Sequence, residues 1–190
     1  GAWKLQVEAH SIGTVFTGTL WSGTLRPGDA LELLPQGRAV RVRQVQVHDT
    51  PVDAAAAGQR VAVAIHGVSR EELSRGDWLV APGRYRPSHL LDVRLLLLAA
   101  APKPLGSRAR LRLHLGASEI LGRAVLLDRD ALRPGEEAWA QLRLESPAVA
   151  ASGDRIVIRS YSPAATIAGA TVIDATPPKR ARLKEGDAAR

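Results

Sequence analysis

The stretch Arg108-Ala-Arg-Leu-Arg-Leu-His-Leu115 alternates between basic and aliphatic side chains. Successive side chains of a β-strand point to opposite faces, so this period of two predicts a strand whose leucines face a core. Arg110, Arg112 and His114 would then form a basic row on the opposite face. A helix would not separate the two kinds of side chain in this way, because its period is 3.6 residues.

The same period of two recurs through most of the chain. In residues 38–48 the alternation slips by one position, which predicts a β-bulge near Arg43. The other strand candidates are residues 3–8, 15–20, 30–34, 59–65, 78–80, 90–98, 124–127, 138–144, 156–159 and 171–174.

Turn signals separate these runs at short intervals, among them Arg26-Pro-Gly-Asp29 and Arg133-Pro-Gly135. Only residues 52–58 and 69–75 have a helical pattern, and each is about two turns long at most. Many short strands joined by regular turns are typical of sandwiches and barrels. The sequence therefore predicts an all-β protein.

A domain boundary is predicted at Ala81-Pro-Gly-Arg-Tyr-Arg-Pro-Ser88, which has two prolines and a glycine between two strand-like runs. It divides the 190 residues into a first domain at 1–86 and a second at 87–178. Residues 179–190 follow two prolines and lack periodicity, so they are interpreted as a basic linker towards further domains.

Composition excludes several classes of protein. The chain has no cysteine, so disulfides and thiol chemistry are excluded. No apolar run is long enough to cross a bilayer, which predicts a soluble protein with no membrane partner. The net charge of +7, from 26 basic and 19 acidic residues, makes a polyanion partner plausible, although a solvated arginine-rich surface explains it equally well. The absence of methionine leads us to expect a piece of a longer protein.

Catalytic machinery is not apparent in the sequence. There is no Gly-Lys step and hence no phosphate-binding P-loop, no H-E-x-x-H metal motif and no G-x-S-x-G nucleophile elbow. The paired carboxylates Glu71-Glu72 and Glu136-Glu137 are sequence neighbours beside turns, so they are interpreted as solvated surface. We expect that the chain itself is not an enzyme and binds no metal or other cofactor.

Glycines and charged turns in the first half carry a resemblance to a known family. Gly13-Thr-Val-Phe-Thr-Gly18, Pro27-Gly-Asp29 and Gly67-Val-Ser-Arg-Glu-Glu-Leu-Ser-Arg-Gly-Asp77 resemble the second domain of translational GTPases such as EF-Tu. In the second half, His114-Leu-Gly-Ala-Ser-Glu-Ile-Leu-Gly-Arg-Ala124 and Gly153-Asp-Arg-Ile-Val-Ile-Arg-Ser-Tyr-Ser-Pro163 look like the selenocysteine-specific elongation factors. The resemblance covers nearly the whole chain, from about residue 3 to residue 178.

This resemblance implies two tandem small β-barrels, the second and third domains of an EF-Tu-like factor. A GTPase domain that binds GTP and Mg²⁺ would precede them, and domains that bind the mRNA hairpin would follow. The implied function is to hold the acceptor arm and aminoacyl end of selenocysteyl-tRNA for delivery to the ribosome at recoded UGA codons in the cytoplasm. The parent protein would be a GTPase.

The resemblance also implies residues that bind the tRNA 3′ end in the first barrel. Val15 and Ala64 correspond to apolar positions beside the terminal adenosine, and Gln46 to a polar position at its ribose. Residues implied for the aminoacyl pocket are Arg60, His48 and Glu8.

Arg60 is the residue expected to discriminate between aminoacyl groups. A selenol is more acidic than a hydroxyl, so a guanidinium in a partly desolvated pocket would favour anionic selenocysteine over neutral serine. From the pattern alone, Arg60 is equally well explained as a rim residue paired with an aspartate, and His48 as a turn residue. The chain departs from the family in two ways: the family usually has an Asp-Arg pair on the first strand and a longer turn after it, whereas this strand ends Glu8-Ala9, without the second arginine, and only His10-Ser-Ile12 precede Gly13.

In the second barrel the family resemblance implies contact with the backbone of the acceptor and T stems. The implied residues are Arg110, Arg112, His114 and Arg159, and an ordinary polar strand face would look the same. Two alternatives stay open for the chain as a whole. One is a translational GTPase that carries ordinary aminoacyl-tRNA, and the other is a module that docks on the ribosome or a protein.

Overall fold

The computed structural model describes residues 4–10 and 15–180, and the side chains of residues 8–10 and 70 are not among the described ones. The chain divides into two compact units, Gly1–Arg86 and Pro87–Arg190. The strands of the first unit are β1 Lys4–His10, β2 Val15–Ser22, β3 Thr24–Leu25, β4 Ala30–Leu34, β5 Arg38–Val47, β6 Thr50–Pro51, β7 Ala55–Ala56, β8 Arg60–His66 and β9 Trp78–Val80. The strands of the second unit are β10 Ser88–Leu97, β11 Leu105–Gly106, β12 Ala109–Leu115, β13 Ser118–Leu126, β14 Ala131–Leu132, β15 Glu137–Ala148, β16 Arg155–Ser160 and β17 Thr166–Asp174.

Each unit is an antiparallel β-barrel of six strands. In the first, the strand order is β4-β9-β1-β2-β8-β5, and the barrel closes because β4 also pairs with β5. The short strand β6 pairs with the end of β5. In the second, β10-β15-β13-β12-β16-β17 forms a closed ring. Closure leaves no long unpaired strand edge. The predicted all-β class with two tandem small barrels is confirmed.

The core of each barrel follows from the alternation in the sequence. Leu111, Leu113 and Leu115 of β12 are buried, and in β8 the buried set includes Val61, Val63 and Ile65. Removal of each such aliphatic side chain from water contributes about 1.5–3 kcal/mol. The residues between the leucines of β12, Arg112 and His114, are half-buried on the opposite side of the strand, and in β8 the alternate residues are Ala62, which is half-buried, and Ala64, which is buried.

The bulge predicted near Arg43 is confirmed, because the register between β5 and β8 shifts between Val42 and Gln44. The two helices predicted from the sequence are wrong. Residues 52–58 contain the short strand β7, which pairs with β3, and residues 69–75 contain only a 3-10 helix, Arg70–Glu72. Strand pairing here outweighs the helical propensity of the alanines.

Two glycines of the family-like segment have a steric reason to be there. A Cβ atom at Gly18 would lie 2.0 Å from the carbonyl oxygen of Gln6 on the neighbouring strand. Gly28, in the turn before β4, has a φ of 92°, a conformation that other residues adopt only with strain. Gly13 lies outside the described residues.

The end of the first unit is fixed by an aromatic cage around a buried lysine. The Nζ atom of Lys4 lies 4.1 Å from the ring centroid of Trp78, 5.0 Å from that of Trp21 and 5.6 Å from that of Tyr85. Contacts of an ammonium with aromatic faces are attractive, and more so when water is excluded. The cage therefore holds the segment around Tyr85 against β1, β2 and β9.

The segment that leaves the second barrel is held by a buried glutamine. The amide nitrogen of Gln141 donates to Asp92 at 2.8 Å and to the carbonyl of Pro178 at 2.9 Å, and its oxygen accepts from the backbone N–H of Arg180 at 3.0 Å. Arg143 donates to the carbonyl of Arg180 at 2.7 Å. Of the linker predicted at 179–190, the first two residues are thus held by the barrel, and the rest lies outside the described residues.

Candidate nucleic-acid interface

Three neighbouring strands of the first barrel, β2, β8 and β5, present a continuous outer face. Val15 of β2 and Gln44 of β5 flank Ala64 of β8, and Gln46 stands opposite Ala62 one step along the ladder. The alternation that buries Val61, Val63 and Ile65 turns Arg60, Ala62 and Ala64 to the opposite side of β8, where Arg60 is exposed, Ala62 is half-buried and Ala64 is buried. The family-implied 3′-end residues Val15, Gln46 and Ala64 therefore lie on one surface, which we call the β2-β8-β5 face.

Arg60 lies at one end of the β2-β8-β5 face. It begins β8 opposite Thr19 and is exposed. His48 is also exposed and follows β5, so the antiparallel ladder brings it to the same end as Arg60. His48 and Asp49 have φ values of 49° and 60° and form the two-residue turn between β5 and β6. Two positive φ values are typical of a type I′ hairpin, so His48 is a turn residue whose ring faces solvent.

Glu8, the third residue implied for the aminoacyl pocket, lies in β1 next to β2. The register between these strands shifts between Val7 and Ala9, which places Glu8 at an irregular step of the ladder. Its side chain lies outside the described ones, as does most of the short loop after His10. Of the three residues implied for the aminoacyl pocket, Arg60 and His48 therefore have described side chains.

The basic row of the second barrel lies on one face of β12. Arg110, Arg112 and His114 alternate with the buried leucines, and Arg159 of β16 stands directly opposite Arg112. The side chain of Arg159 donates to the carbonyl of Ala164 at 2.7 Å, so it also supports the turn between β16 and β17. The four residues that the family resemblance implied for the RNA backbone thus lie together on the paired strands β12 and β16.

Two glutamates that the sequence analysis did not select neutralise part of this row. Arg110 donates through Nε and Nη2 to the two carboxylate oxygens of Glu145, each at 2.9 Å. Arg112 donates to Glu119 at 2.5 Å, and the second oxygen of Glu119 lies 3.7 Å from Nε2 of His114. Glu119 stands on β13, which forms a hairpin with β12, and Glu145 stands on β15, one strand further along the barrel.

Tyr161 is a further member of this face that the sequence analysis did not select. The Cζ atoms of Arg110 and Arg112 lie 4.5 Å and 5.3 Å from the centroid of its ring. Arg112 also donates through Nε to the carbonyl oxygen of Tyr161 at 3.2 Å. The signal in the sequence that could have identified Tyr161 was an aromatic residue in the turn after a strand that carries arginines.

The ion pairs shift the pKa values of their members. Hydrogen bonds from Arg112 and from Arg110 lower the pKa values of Glu119 and Glu145, respectively, below that of an ordinary glutamate. The hydrogen bond to Glu145 raises the pKa of Arg110. All of these groups are therefore charged at neutral pH.

Neither of the two larger cavities that we describe is lined by the predicted site residues. One, of about 700 Å³, lies between β4, β5 and the segment at Pro82 and Gly83. The other, of about 510 Å³, crosses β10, β17 and β16. Within residues 4–10 and 15–180 there is no cluster of three potential metal ligands. No helix in the described part of the chain is long and apolar enough to span a membrane.

Family models match both barrels. Residues 13–80 match the model described as "Elongation factor Tu domain 2". Residues 92–179 match the model described as "Selenocysteine-specific elongation factor, beta-barrel domain". The matched residues contain all the predicted site residues except Glu8.

Relatives that match along most of the chain share one description. The chain is 43% identical over 162 residues to the selenocysteine-specific elongation factor of Desulfomicrobium baculatum, with 85% of this chain and 26% of the relative covered. It is 35% identical over 173 residues to that of Escherichia coli strain K12, with 90% and 26% covered. The chain thus spans about a quarter of the length of these curated relatives.

A solved structure supports the fold assignment. The apo form of translation elongation factor SelB from Methanococcus maripaludis matches with a TM-score of 0.80 and 24% sequence identity, covering 94% of this chain and 43% of that chain. At this identity the likeness shows the fold alone. The two family models and the relatives that match along most of this chain lead to one assignment: the chain belongs, through its two β-barrel domains, to the family of selenocysteine-specific elongation factors.

Proposed function

We propose that the two barrels bind the acceptor arm and aminoacyl end of selenocysteyl-tRNA. The observation that carries this proposal is the β2-β8-β5 face, where the half-buried Val15 and Gln46 lie on the same side of the sheet as the exposed Arg60, with the buried Ala64 between β2 and β5. Two small apolar residues beside an amide are suited to a nucleoside, because its base offers an apolar face and its ribose offers hydroxyl groups.

Arg60 is proposed to select the aminoacyl group. At neutral pH selenocysteine is largely anionic, and a guanidinium donates charge-assisted hydrogen bonds to an anion but gains little from the hydroxyl of serine. Because Arg60 is exposed, water weakens this preference in the free chain. The bound 3′ end, or a neighbouring domain that closes over the face, would exclude that water and strengthen it.

His48 is proposed to line the same end of the face. As an exposed turn residue it can donate a hydrogen bond in either of its protonation states. Glu8 is proposed as the carboxylate that orients Arg60, because β1 is hydrogen-bonded to β2, which in turn pairs with β8.

The second barrel is proposed to bind the RNA backbone through Arg110, Arg112, His114 and Arg159. Spaced positive charge on one strand face is suited to phosphates and carries little base specificity. The carboxylates of Glu119 and Glu145 lower the net charge of this face, so its contribution to affinity is expected to be modest and sensitive to salt.

Delivery of the tRNA to the ribosome at recoded UGA codons, in the cytoplasm, is proposed for the longer protein. GTP and Mg²⁺ binding, GTP hydrolysis and recognition of an mRNA element would belong to segments other than these barrels. The chain by itself is proposed to hydrolyse no GTP, which an assay of phosphate release with the purified chain would test.

Binding of the chain to selenocysteyl-tRNA, seryl-tRNA and the deacylated tRNA at several salt concentrations tests the proposed function. We expect binding that weakens steeply with salt, and an order of affinity in which selenocysteyl-tRNA comes first. Equal affinity for ordinary aminoacyl-tRNAs would favour a general tRNA carrier. Absence of tRNA binding at low salt, with the barrels folded, would contradict the proposal and favour a module that docks on the ribosome or a protein.

A further inference from the structure

The two arginines at the centre of the second barrel's basic face already hold anions from the chain itself. Arg110 makes two parallel hydrogen bonds to Glu145, and Arg112 makes one to Glu119. An RNA phosphate uses the same planar fork of donors that a carboxylate uses. A phosphate and a glutamate therefore compete for the same guanidinium atoms.

Tyr161 contacts both guanidiniums independently of the carboxylates. Its ring lies within 5.3 Å of both Cζ atoms, and its carbonyl accepts from Nε of Arg112. Neither contact involves a glutamate. The donors would thus stay preorganised for a second anion, which lowers the entropic cost of binding it.

The carboxylates are accessible and exchangeable. The side chains of Glu145 and Glu119 are 46% and 44% exposed, and those of Arg110 and Arg112 are 36% and 32% exposed. An ion pair at this exposure changes an equilibrium constant by only about 1.4- to 5-fold. A polyanion that places several phosphates on the face can therefore displace both glutamates.

We propose that Glu119 and Glu145 act as internal competitors of the RNA backbone, so that RNA binds this face by exchanging its phosphates for the two carboxylates. This inference rests on the proposed function and adds to it a competition: a phosphate that binds Arg110 or Arg112 must first release a glutamate, which lowers the affinity of the face for RNA. Since the pKa values of both glutamates are lowered, the competition operates fully at neutral pH.

Replacement of a competing carboxylate by an amide tests the exchange. Glu145→Gln and Glu119→Gln should each bind the deacylated selenocysteine tRNA about two- to fivefold more tightly than the unchanged chain. The affinity of each variant for tRNA should also fall more steeply with salt concentration. The reason is that the replaced residue has no carboxylate to take up a cation when RNA displaces it. Circular dichroism and thermal melting of each variant establish that the barrels are folded.

Glu137→Gln is the matched control. Glu137 pairs with Arg94 at 2.8 Å on strands β15 and β10 of the same barrel, and its side chain is 45% exposed. The substitution makes the same charge change in an equivalent ion pair away from the basic face. We expect less than a twofold change in tRNA affinity, so a gain equal to that of Glu145→Gln would overturn the proposal in favour of a general charge effect.

A double variant tests whether the gain passes through Arg110. In an Arg110→Ala background, Glu145→Gln should no longer tighten binding, because the guanidinium over which the two anions compete is gone. If the unchanged chain binds tRNA and Arg110→Ala weakens it, but the two glutamine variants leave affinity unaltered, the exchange is contradicted and the proposed function stands. If the unchanged chain does not bind tRNA, both the proposed function and the exchange are contradicted. If the glutamine variants bind polyglutamate more tightly than the unchanged chain does, but bind tRNA no more tightly, the face would be assigned to an acidic protein and the exchange would be contradicted.

Discussion

Arginine side chains on the two barrels differ in their position on the sheet. Arg60 is an exposed residue at the end of the β2-β8-β5 face, and Arg110 and Arg112 lie in the middle of a strand, where each donates to a glutamate. The first environment suits selection of one charged group once water is excluded. The second suits reversible contact with a chain of phosphates. The same residue type therefore has two different proposed roles, which the neighbouring side chains determine.

The ionisation of Glu145 gives a pH-dependent test of its pair with Arg110. Because the pKa of this carboxyl is lowered in the folded chain, the pair stabilises the fold above the ordinary pKa of glutamate, and the contribution is lost as pH falls through the lowered value. We expect the Glu145 carboxyl carbon to titrate below the range of a glutamate in a short peptide when followed by NMR. In Arg110→Ala its titration should move upward, and an unchanged midpoint would contradict the pair.

Strands could be predicted from the sequence where a period of two persisted. All six strands that close the first barrel were predicted, and the alternation also identified the bulge at Arg43 because that slip is visible in the order of residues. The first part of β13 and the first part of β17 were missed. Gly122 and Gly169 interrupt the apolar pattern there, although each strand continues through its glycine.

The candidate site was only partly predictable at the level of elements. A single strand fixes which residues share a face, so the row of Arg110, Arg112 and His114 could be predicted. Its partners Glu119 and Glu145 come from β13 and β15, and their approach depends on register across the sheet, which sequence order does not contain. Similarly, the helix predicted at 52–58 failed because β7 pairs with a strand distant in sequence.

The close approach of the paired strands β1 and β2 at Gly18 provides a stability test for the first barrel. Gly18→Ala would place a Cβ atom 2.0 Å from the Gln6 carbonyl oxygen and 3.2 Å from Leu5, so the two strands must separate. We expect the free energy of unfolding of this barrel to fall by about 1–3 kcal/mol or more in guanidinium denaturation. Gly106→Ala, in β11 of the second barrel, is the control for the unfolding of that barrel, because no atom lies within 4 Å of its added Cβ. Equal changes in the free energy of unfolding of the two barrels would contradict the close approach at Gly18.

At the scale of the whole chain, two closed barrels divide the proposed work between an aminoacyl end and an RNA backbone. The net charge of +7 assists both through long-range attraction, but it selects neither. Selection requires the particular side chains on each face. The 3′-end residues and the basic row lie on separate barrels, so variants in one barrel are expected to change selectivity and variants in the other to change backbone affinity and its salt dependence.

The most direct test of the account is the ratio of affinities for selenocysteyl-tRNA and seryl-tRNA in Arg60→Ala. Arg26→Ala serves as the control, since Arg26 lies in an exposed turn of the same barrel and its loss makes the same charge change. Loss of a charge-assisted contact predicts that Arg60→Ala lowers this ratio about tenfold, with seryl-tRNA affinity nearly unchanged and with Arg26→Ala within twofold of the unchanged chain. A parallel loss for both tRNAs in Arg60→Ala, or an unchanged ratio, would contradict the assignment of Arg60 as the selecting residue.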